Sequence, residues 1–428
     1  MLVGHMLSLA SISVHTFLFI SLYVQIFLII TLFEYYDAQQ KKKRAQLTVV
    51  AQASGSSPTP INYPTVTVIV PCFNEEATVI GTIESLKSMN YPADKLSIMA
   101  VDDGSTDNTW SYLEQYRNDP RVQIFHKENG GKHTAVNFGI EHSTSDLISC
   151  LDADSFVHPE ALQRMLPYFS NPEVMAVTPA IKVRTPQNLL EYIQFAEYNV
   201  GIFLRKMYST FNAIHVTPGP FTVFRREAFT RVGMFKAAHN TEDLEFALRL
   251  HSHNLKIENS HTSFVFTTPP QNVRALVKQR VRWTTGFLLN AKDYRKLFFN
   301  KKYGHVGTFT LPAGVFSIIM VLFFTSYSIV NAATSLVQNV INWNLIGWHW
   351  HWAQWQWFYV NTTTERFMIL AVVITGLFIV FIGKRLGSGS WKPSRDIFSY
   401  ALLYGFIAPV WIAISSWKAV RGSTPRWR

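Results

Sequence analysis

Two long stretches of this chain carry no charged side chain, and they limit its possible folds more than any other feature. Residues 6–33 contain no Lys, Arg, Asp or Glu, and neither do residues 303–364. About 20 apolar residues suffice for a helix to cross a bilayer, so the first stretch predicts a membrane-spanning helix. The residues between the two stretches have ordinary globular composition, which predicts a domain that folds in water.

Basic residues lie beside the apolar stretches and give the chain a formal net charge of +11. They cluster at Lys41–Arg44, in residues 292–302 and in residues 418–428. Positive charge next to a span is typical of the cytoplasmic side of a membrane. The distribution therefore predicts an external N-terminus, a cytoplasmic central domain and contact with the lipid bilayer, and argues against nucleic acid as a partner.

The chain divides by composition into four parts: a helix with its basic flank in residues 1–44, a linker in 45–64, a globular domain in 65–290, and interfacial and membrane helices in 291–428. The last part holds three apolar runs, 309–333, 367–382 and 398–417. Basic residues after the second and third runs both predict the cytoplasmic side, and one span cannot satisfy both. Either the last run is re-entrant or partly interfacial, or the charge rule fails there.

Short β-rich runs alternate with amphipathic stretches after residue 65. Strands are predicted at 66–70, 96–101, 122–125 and 147–151, with helices at 77–89 and 108–117. Such alternation predicts an α/β, Rossmann-like domain with a mostly parallel sheet. Its ligands would bind beyond the carboxyl ends of the strands. The two cysteines, Cys72 and Cys150, lie in these runs and are expected to be buried free thiols.

Two acidic clusters follow predicted strands. Asp102-Asp103-Gly104-Ser105 could accept hydrogen bonds from a nucleoside, or could simply be a capped turn. Asp152 and Asp154 flank one small residue, so an extended strand end would send both carboxylates to one side. Converging carboxylates repel unless a cation neutralises them, and Mg²⁺ or Mn²⁺ would fit. The alternative for this pair is a loop with helix-capping acids.

Two later clusters and one lysine complete the candidate site. Thr241-Glu242-Asp243 precedes a helical run and offers a general base, or is an ordinary helix start capped by Thr241. In Gln279-Arg280-Val281-Arg282-Trp283, the first and last residues share a helix face. Arg could hold a diphosphate and Trp could stack on a sugar, unless the helix is only an interfacial anchor. Lys132 follows two glycines and could meet a phosphate or the base, or be solvated.

These residues together resemble the inverting family 2 glycosyltransferases with a GT-A fold. The likeness is greatest to membrane synthases of cellulose, chitin, hyaluronan and poly-N-acetylglucosamine, and it covers residues 66–287 and the membrane layout. Residues 70–76 match the family's opening strand and loop, which implies substrate contacts for Pro71 and Glu75.

The resemblance implies further roles by position. Asp103 would bind uridine, Asp152 the nucleotide and, with Asp154, the metal, and Asp243 would be the catalytic base. Substrate contacts are also implied for Lys132, Glu242, Gln279, Arg280, Arg282 and Trp283. Mg²⁺ or Mn²⁺ would be the cofactor.

The resemblance also implies an activity and a place for it. A UDP-sugar, expected to be UDP-N-acetylglucosamine, would be the donor, and a growing β-linked polysaccharide the acceptor. The enzyme would be a multi-pass plasma-membrane protein with a cytoplasmic catalytic domain, with translocation of the product and room for a small accessory membrane subunit. The absence of sequence for a C-terminal nucleotide-sensing domain favours a poly-N-acetylglucosamine or chitin-like synthase over a cellulose synthase.

Other readings stay open. Residues 218–221, Pro-Gly-Pro-Phe, replace the family's Ser/Thr-Gly-Ala-Phe-like stretch near the acceptor. That departure leaves the identity of the acceptor open. A non-processive enzyme that glycosylates a lipid is one alternative, since the resemblance through the Gln279–Trp283 motif extends to some lipid glucosyltransferases. A membrane transporter or receptor with a nucleotide-binding domain is another.

Overall fold

A computed structural model describes residues 2–52, 63–347 and 363–423. One mixed sheet of eight strands forms the centre of the domain, in the order β3-β2-β1-β4-β7-β6-β8-β5. The strands are β1 Val66–Cys72, β2 Leu96–Asp102, β3 Val122–His126, β4 Leu147–Cys150, β5 Ser155–Val157, β6 Val174–Val183, β7 Thr222–Arg225 and β8 Lys256–Thr267.

The first half of the sheet is parallel, as the sequence predicts. Strands β3, β2, β1 and β4 pair side by side, and Val66 is in register with both Leu96 and Leu147. The carboxyl ends of these strands therefore meet at one edge, with Cys72 opposite Asp102. The second half was not predicted: β7 is antiparallel to β4 and β6, and β5 is antiparallel to β8.

Eleven α-helices lie in the described residues, with bounds α1 Leu2–Gln52, α2 Val79–Lys87, α3 Thr109–Glu114, α4 Lys132–His142, α5 Leu189–Thr210, α6 Arg226–Val232, α7 Glu242–Ser252, α8 Val273–Asp293, α9 Leu311–Ile346, α10 Thr364–Ser388 and α11 Arg395–Val420. Alternate residues of β1 point to opposite faces, so the sheet has two apolar cores. Val68 packs with α2 and α3 on one face, and Ile69 packs with α4, α6 and α7 on the other.

In the part of the chain that the structure describes, four helices are long and apolar enough to cross a membrane: Ser11–Gln40, Val306–Leu345, Thr364–Ser388 and Arg395–Val420. Helix α5 joins the domain to them, because its Phe203 and Met207 form one apolar cluster with α1 and α10. Contact with α10 is close at Gly383, where a Cβ atom would lie 2.7 Å from the carbonyl oxygen of Asn199.

The structure adds detail to two of the flanking segments. Helix α1 continues to Gln52, so residues 45–52 of the predicted linker are helical. Ala, Gln and Leu favour helix there, and the Ser, Gly and Pro residues begin only beyond it. The rest of the predicted linker, 53–62, lies outside the described residues. The last apolar run forms the single helix α11, whose Trp411 packs on Val281 of α8.

Candidate active site

The strand ends bring the predicted acids to one edge of the sheet. Asp102 ends β2, and the Asp103 N–H donates to the Cys72 carbonyl at the end of β1. Asp152 lies two residues after the end of β4 at Cys150. This placement follows from the parallel register, since residues after adjacent parallel strands emerge side by side.

Asp103 is 3% exposed, and both of its oxygens already have protein partners. Its carboxylate accepts hydrogen bonds from Lys127 Nζ at 2.5 Å and from the backbone N–H groups of Gly130 and Gly131 at 3.1 and 2.9 Å. Asp103 therefore fixes the glycine loop before α4. Sequence reasoning missed Lys127, and no spacing rule connects it to Asp103. The nucleoside contact of Asp103 stays a prediction.

Lys132 is the centre of an ionic cluster at the first turn of α4. Its Nζ lies 2.5 Å from Asp152 Oδ1 and 3.4 Å from Glu242 Oε1, on a different helix. Burial by itself would lower the pKa of Lys132, but the two carboxylates outweigh it and hold the pKa well above its usual range. Lys132 is therefore charged and not freely solvated.

Gly219, in the unusual Pro-Gly-Pro-Phe stretch, lies against the ion pair of Lys132 and Asp152. A Cβ atom at this position would lie 2.6 Å from Lys132 Nζ and 2.9 Å from Asp152 Oδ1. A side chain at position 219 would therefore push the ends of Lys132 and Asp152 out of their present positions. The backbone of this loop therefore passes close to the Lys132 and Asp152 side chains at Gly219.

Negative charge converges at Asp154. Burial, the carboxylate of Asp152 and the carboxylate of Glu75 together raise the pKa of Asp154 to about 6. Among the residues that the structure describes, no group of three or more His, Cys, Asp or Glu side chains could hold a metal ion alone. The carboxylates of Asp152 and Asp154, with the charge of Glu75 nearby, suit Mg²⁺ or Mn²⁺, which bind one or two protein carboxylates together with substrate phosphates. The residues present therefore fit such an ion.

Asp243 lies in the first turn of α7 and lines a small cavity together with Lys132, Cys150, Thr217, Gly219 and Glu242. Burial and the neighbouring Glu242 raise the pKa of Asp243 to about 6, against the opposing charges of Lys132 and Arg282. The helix cap of the alternative interpretation is not formed, since Thr241 makes no side-chain capping bond and donates to the Ala238 carbonyl. An acid in this state can accept a proton near neutral pH.

The Gln279–Trp283 cluster lies on α8, with Arg280 in the interior and Trp283 at the surface. Arg280 is 3% exposed, and its Nε and Nη2 donate to Glu197 at 3.1 and 2.7 Å. Gln279 Oε1 accepts from Arg280 Nη1, and the guanidinium lies 4.3 Å from the centre of the Trp283 ring. The Arg280 guanidinium is therefore paired with the Glu197 carboxylate, a partner that the sequence analysis did not predict. Its predicted diphosphate contact stays a prediction.

Arg282 and Trp283 face more open surroundings. Arg282 Nη1 donates to the Asn240 carbonyl at 3.0 Å, and its charge reaches Asp243. Trp283 is 38% exposed, which leaves part of the indole free for a ligand. Pro71 and Glu75 are half-buried at the end of β1, where the Glu75 N–H donates to Thr109. Their substrate contacts, like those of Arg282 and Trp283, stay predictions.

The fold and the sequence define the class of protein. Residues 67–233 match the model of Glycosyl transferase family 2. A mannosyltransferase from Pyrobaculum calidifontis, solved with GDP-Man and Mn²⁺, aligns with a TM-score of 0.51 at 20% identity, over 85% of this chain and 99% of that one. The chain carries a family 2 glycosyltransferase domain with a GT-A fold, and it is a glycosyltransferase.

Two curated relatives of this chain are named as synthases of one particular polysaccharide. The poly-beta-1,6-N-acetyl-D-glucosamine synthase of Staphylococcus epidermidis is 27% identical over 316 residues, which are 73% of this chain and 74% of that protein. The enzyme of the same name from Staphylococcus aureus strain COL is 31% identical over 224 residues, or 52% and 54% of the two chains. This chain is therefore similar to polysaccharide synthases.

Proposed function

We propose that this protein transfers N-acetylglucosamine from UDP-N-acetylglucosamine to the end of a β-linked polysaccharide, with inversion at the anomeric carbon. The state of Asp243 carries the proposal: a half-buried carboxyl with a pKa of about 6, at the rim of the charged cluster around Lys132. The similarity to named poly-N-acetylglucosamine synthases, extending over 73% of the chain, supports the choice of sugar.

The proposed chemistry uses Asp243 as the general base. Its carboxylate takes the proton of an acceptor hydroxyl, whose oxygen attacks the anomeric carbon from the face opposite the diphosphate. A new C–O bond forms as the bond from that carbon to the phosphate oxygen breaks, and UDP leaves. Asp152 and Asp154 would hold Mg²⁺ or Mn²⁺, which supplies charge that stabilises the leaving diphosphate. Lys132 sets the position of the Asp152 carboxylate.

The test is release of UDP by the purified protein across a set of UDP-sugars, with sizing of the product. Release with UDP-N-acetylglucosamine and a long product is the expected result. A product of one sugar on a lipid would instead identify a glycolipid synthase. No release from any UDP-sugar would reject transfer from a UDP donor and favour a transporter or receptor.

The proposed location is the plasma membrane, with the catalytic domain in the cytoplasm and the product passing outward between the helices. The basic residues Lys41–Arg44 at the end of the first apolar stretch support this orientation. We also propose a small accessory membrane subunit, which would pack against the four apolar helices.

Cysteine labelling in intact cells tests the orientation. A cysteine at Ser56 is expected to resist an impermeant thiol reagent, whereas one at Asn344, near the far end of α9, should react. Background labelling will be low because Cys72 and Cys150 are both buried. Ready labelling at position 56, with protection at 344, would reverse the proposed topology.

A further inference from the structure

Three consecutive residues before the helix that carries Asp243 have a left-handed backbone. Ala238, His239 and Asn240 have φ values of 43°, 56° and 61°. Residues with a Cβ atom enter this region at a cost, and mostly one at a time, because the Cβ atom then lies too close to the backbone carbonyl. Such a conformation persists only where surrounding contacts hold it. The shape of the turn 238–241 therefore depends on what packs against it.

One face of α8 packs against the turn 238–241. Arg282 Nη1 donates to the Asn240 carbonyl at 3.0 Å. Asp293 Oδ2, about three turns further along the helix, lies 2.8 Å from His239 Nε2. Residues spaced by three or four positions share a helix face, so these contacts run along α8. The residues on this face that meet the turn are Arg282, Gly286, Asn290 and Asp293.

Asn290 is the buried centre of these contacts, with 1% of the residue exposed. Its Nδ2 lies 2.9 Å from Thr241 Oγ1, 3.0 Å from the Gly286 carbonyl oxygen and 3.3 Å from the Ala238 carbonyl oxygen. Thr241 Oγ1 itself donates to the Ala238 carbonyl at 3.1 Å, so one amide and one hydroxyl join both ends of the turn. A Cβ atom at Gly286 would lie 2.4 Å from Thr241 Oγ1, which shows how closely the helix and the turn approach each other.

The position of Thr241 sets the start of α7. The Thr241 carbonyl accepts from the Glu245 N–H at 3.1 Å, which is the first backbone bond of this helix. Asp243 lies in the first turn of α7, and its carbonyl accepts from the N–H and hydroxyl groups of Thr217 at 3.2 and 2.8 Å. Thr217 therefore fixes the Asp243 backbone directly, and Asn290 fixes it through Thr241.

We propose that Asn290 is a positioning residue for the reaction: its amide holds the turn 238–241 in the left-handed conformation and so keeps the Asp243 carboxylate where it can accept a proton. Asn290 acts through the backbone and not on the substrate. A general base must lie within hydrogen-bond reach of the proton that it takes, so a displacement of about 1 Å is enough to lower the rate. This inference rests on the proposed function, and it adds a residue outside the motifs that the sequence analysis selected.

The test compares Asn290→Leu with the parent protein. Leucine has nearly the shape of asparagine but no N–H group, so the contacts of the amide are lost. We expect kcat to fall about 10- to 100-fold, because the base is displaced. The KM for a β-1,6-linked N-acetylglucosamine oligosaccharide and the affinity for UDP should each change by less than about threefold. Asn290→Ser keeps one donor, so it should show a smaller fall in kcat, and it replaces the leucine variant if that variant does not fold.

Asn259→Leu is the matched control. Asn259 is also 1% exposed, and its Nδ2 also donates to three acceptors, the carbonyl and hydroxyl oxygens of Thr178 and the carbonyl oxygen of Pro179. These contacts join β6 to β8 and include no residue of the turn 238–241. The two leucine variants should therefore lose similar amounts of Tm, but only Asn290→Leu should lose kcat per folded molecule. An equal loss of kcat in both would make Asn290 an ordinary structural residue and overturn the proposal.

A second substitution tests the role of the left-handed turn itself. Glycine adopts a left-handed backbone without the cost that a Cβ atom brings, and alanine has no other side-chain atom to lose. Adding Ala238→Gly to Asn290→Leu should therefore raise kcat about two- to fivefold. Ala237→Gly is the control, because the neighbouring Ala237 has an ordinary helical backbone with φ of −57°. No gain from Ala238→Gly, or an equal gain from Ala237→Gly, would contradict the proposal.

Hydrogen exchange keeps this test separate from the proposed activity. The backbone N–H groups of residues 238–245 should exchange faster in Asn290→Leu than in the parent or in Asn259→Leu, and unchanged exchange would overturn the proposal. If the parent releases no UDP, the proposed function fails, and the exchange rates still decide whether Asn290 holds the turn. If the parent transfers sugar and Asn290→Leu keeps kcat within about threefold, only the positioning role fails. Full turnover in Asp243→Asn together with a low kcat in Asn290→Leu would also overturn it, since Asn290 would then act through another group.

Discussion

Asp243→Asn is expected to fold and to bind UDP-N-acetylglucosamine with near-parent affinity, yet to lower turnover by about 10²- to 10⁴-fold. Asparagine keeps the size of the side chain and the bond from the Leu244 N–H, which Asp243 Oδ1 accepts at 2.8 Å. It cannot take a proton from the acceptor. UDP-sugar affinity and turnover are to be measured on the same purified variant.

The ordinary alternative is that Asp243 is only a favourable acid at a helix N-terminus. Losing its charge would then cost about 0.3–1 kcal/mol of stability and leave turnover within about threefold of the parent. Glu227→Gln is the matched control, because Glu227 is also a first-turn acid, on the exposed surface of α6. A folded-state pKa above the ordinary value means that the fold disfavours the charged carboxylate, so at neutral pH the Asn variant should be no less stable than the parent.

The same carboxyl sets the expected pH dependence. Asp243 must be ionised to accept a proton, so kcat/KM should fall as the pH drops through about 6. Saturating Mg²⁺ keeps the metal-binding acids ionised during this measurement. The remaining activity of Asp243→Asn should lack this acidic limb, and a limb that persists unchanged would assign the pKa to another group.

Asp154→Asn is expected to lose most activity together with the metal-dependent part of UDP affinity. Asp154 lies where the charges of Asp152 and Glu75 converge, and removing one carboxylate weakens the attraction for a cation. UDP binding should be measured with and without Mg²⁺ or Mn²⁺. Asp94→Asn, at an exposed turn, is the control and should keep both properties. An unchanged metal dependence in Asp154→Asn would contradict the metal assignment.

The sequence by itself predicted those parts of the structure that depend on local composition or on a periodic pattern of apolar residues. The charge-free stretches predict membrane helices, since a bilayer excludes charge over about 20 residues. Alternation of strands and helices predicts the parallel half of the sheet, which β1–β4 confirm. The order of the acidic and aromatic motifs was enough to predict a family 2 glycosyltransferase domain, which the family match over residues 67–233 supports. The GT-A fold predicted by that resemblance is also confirmed.

The antiparallel half of the sheet and the partners of the charged residues were decided only by the tertiary structure. Strand β7 joins β4 to β6 across a long separation in sequence, and no local pattern specifies such pairing. Arg280 meets Glu197 from a helix 83 residues away, and Lys132 meets Glu242 from another. Charge pairing depends on distances in space and on burial, which a sequence does not contain until the chain is folded.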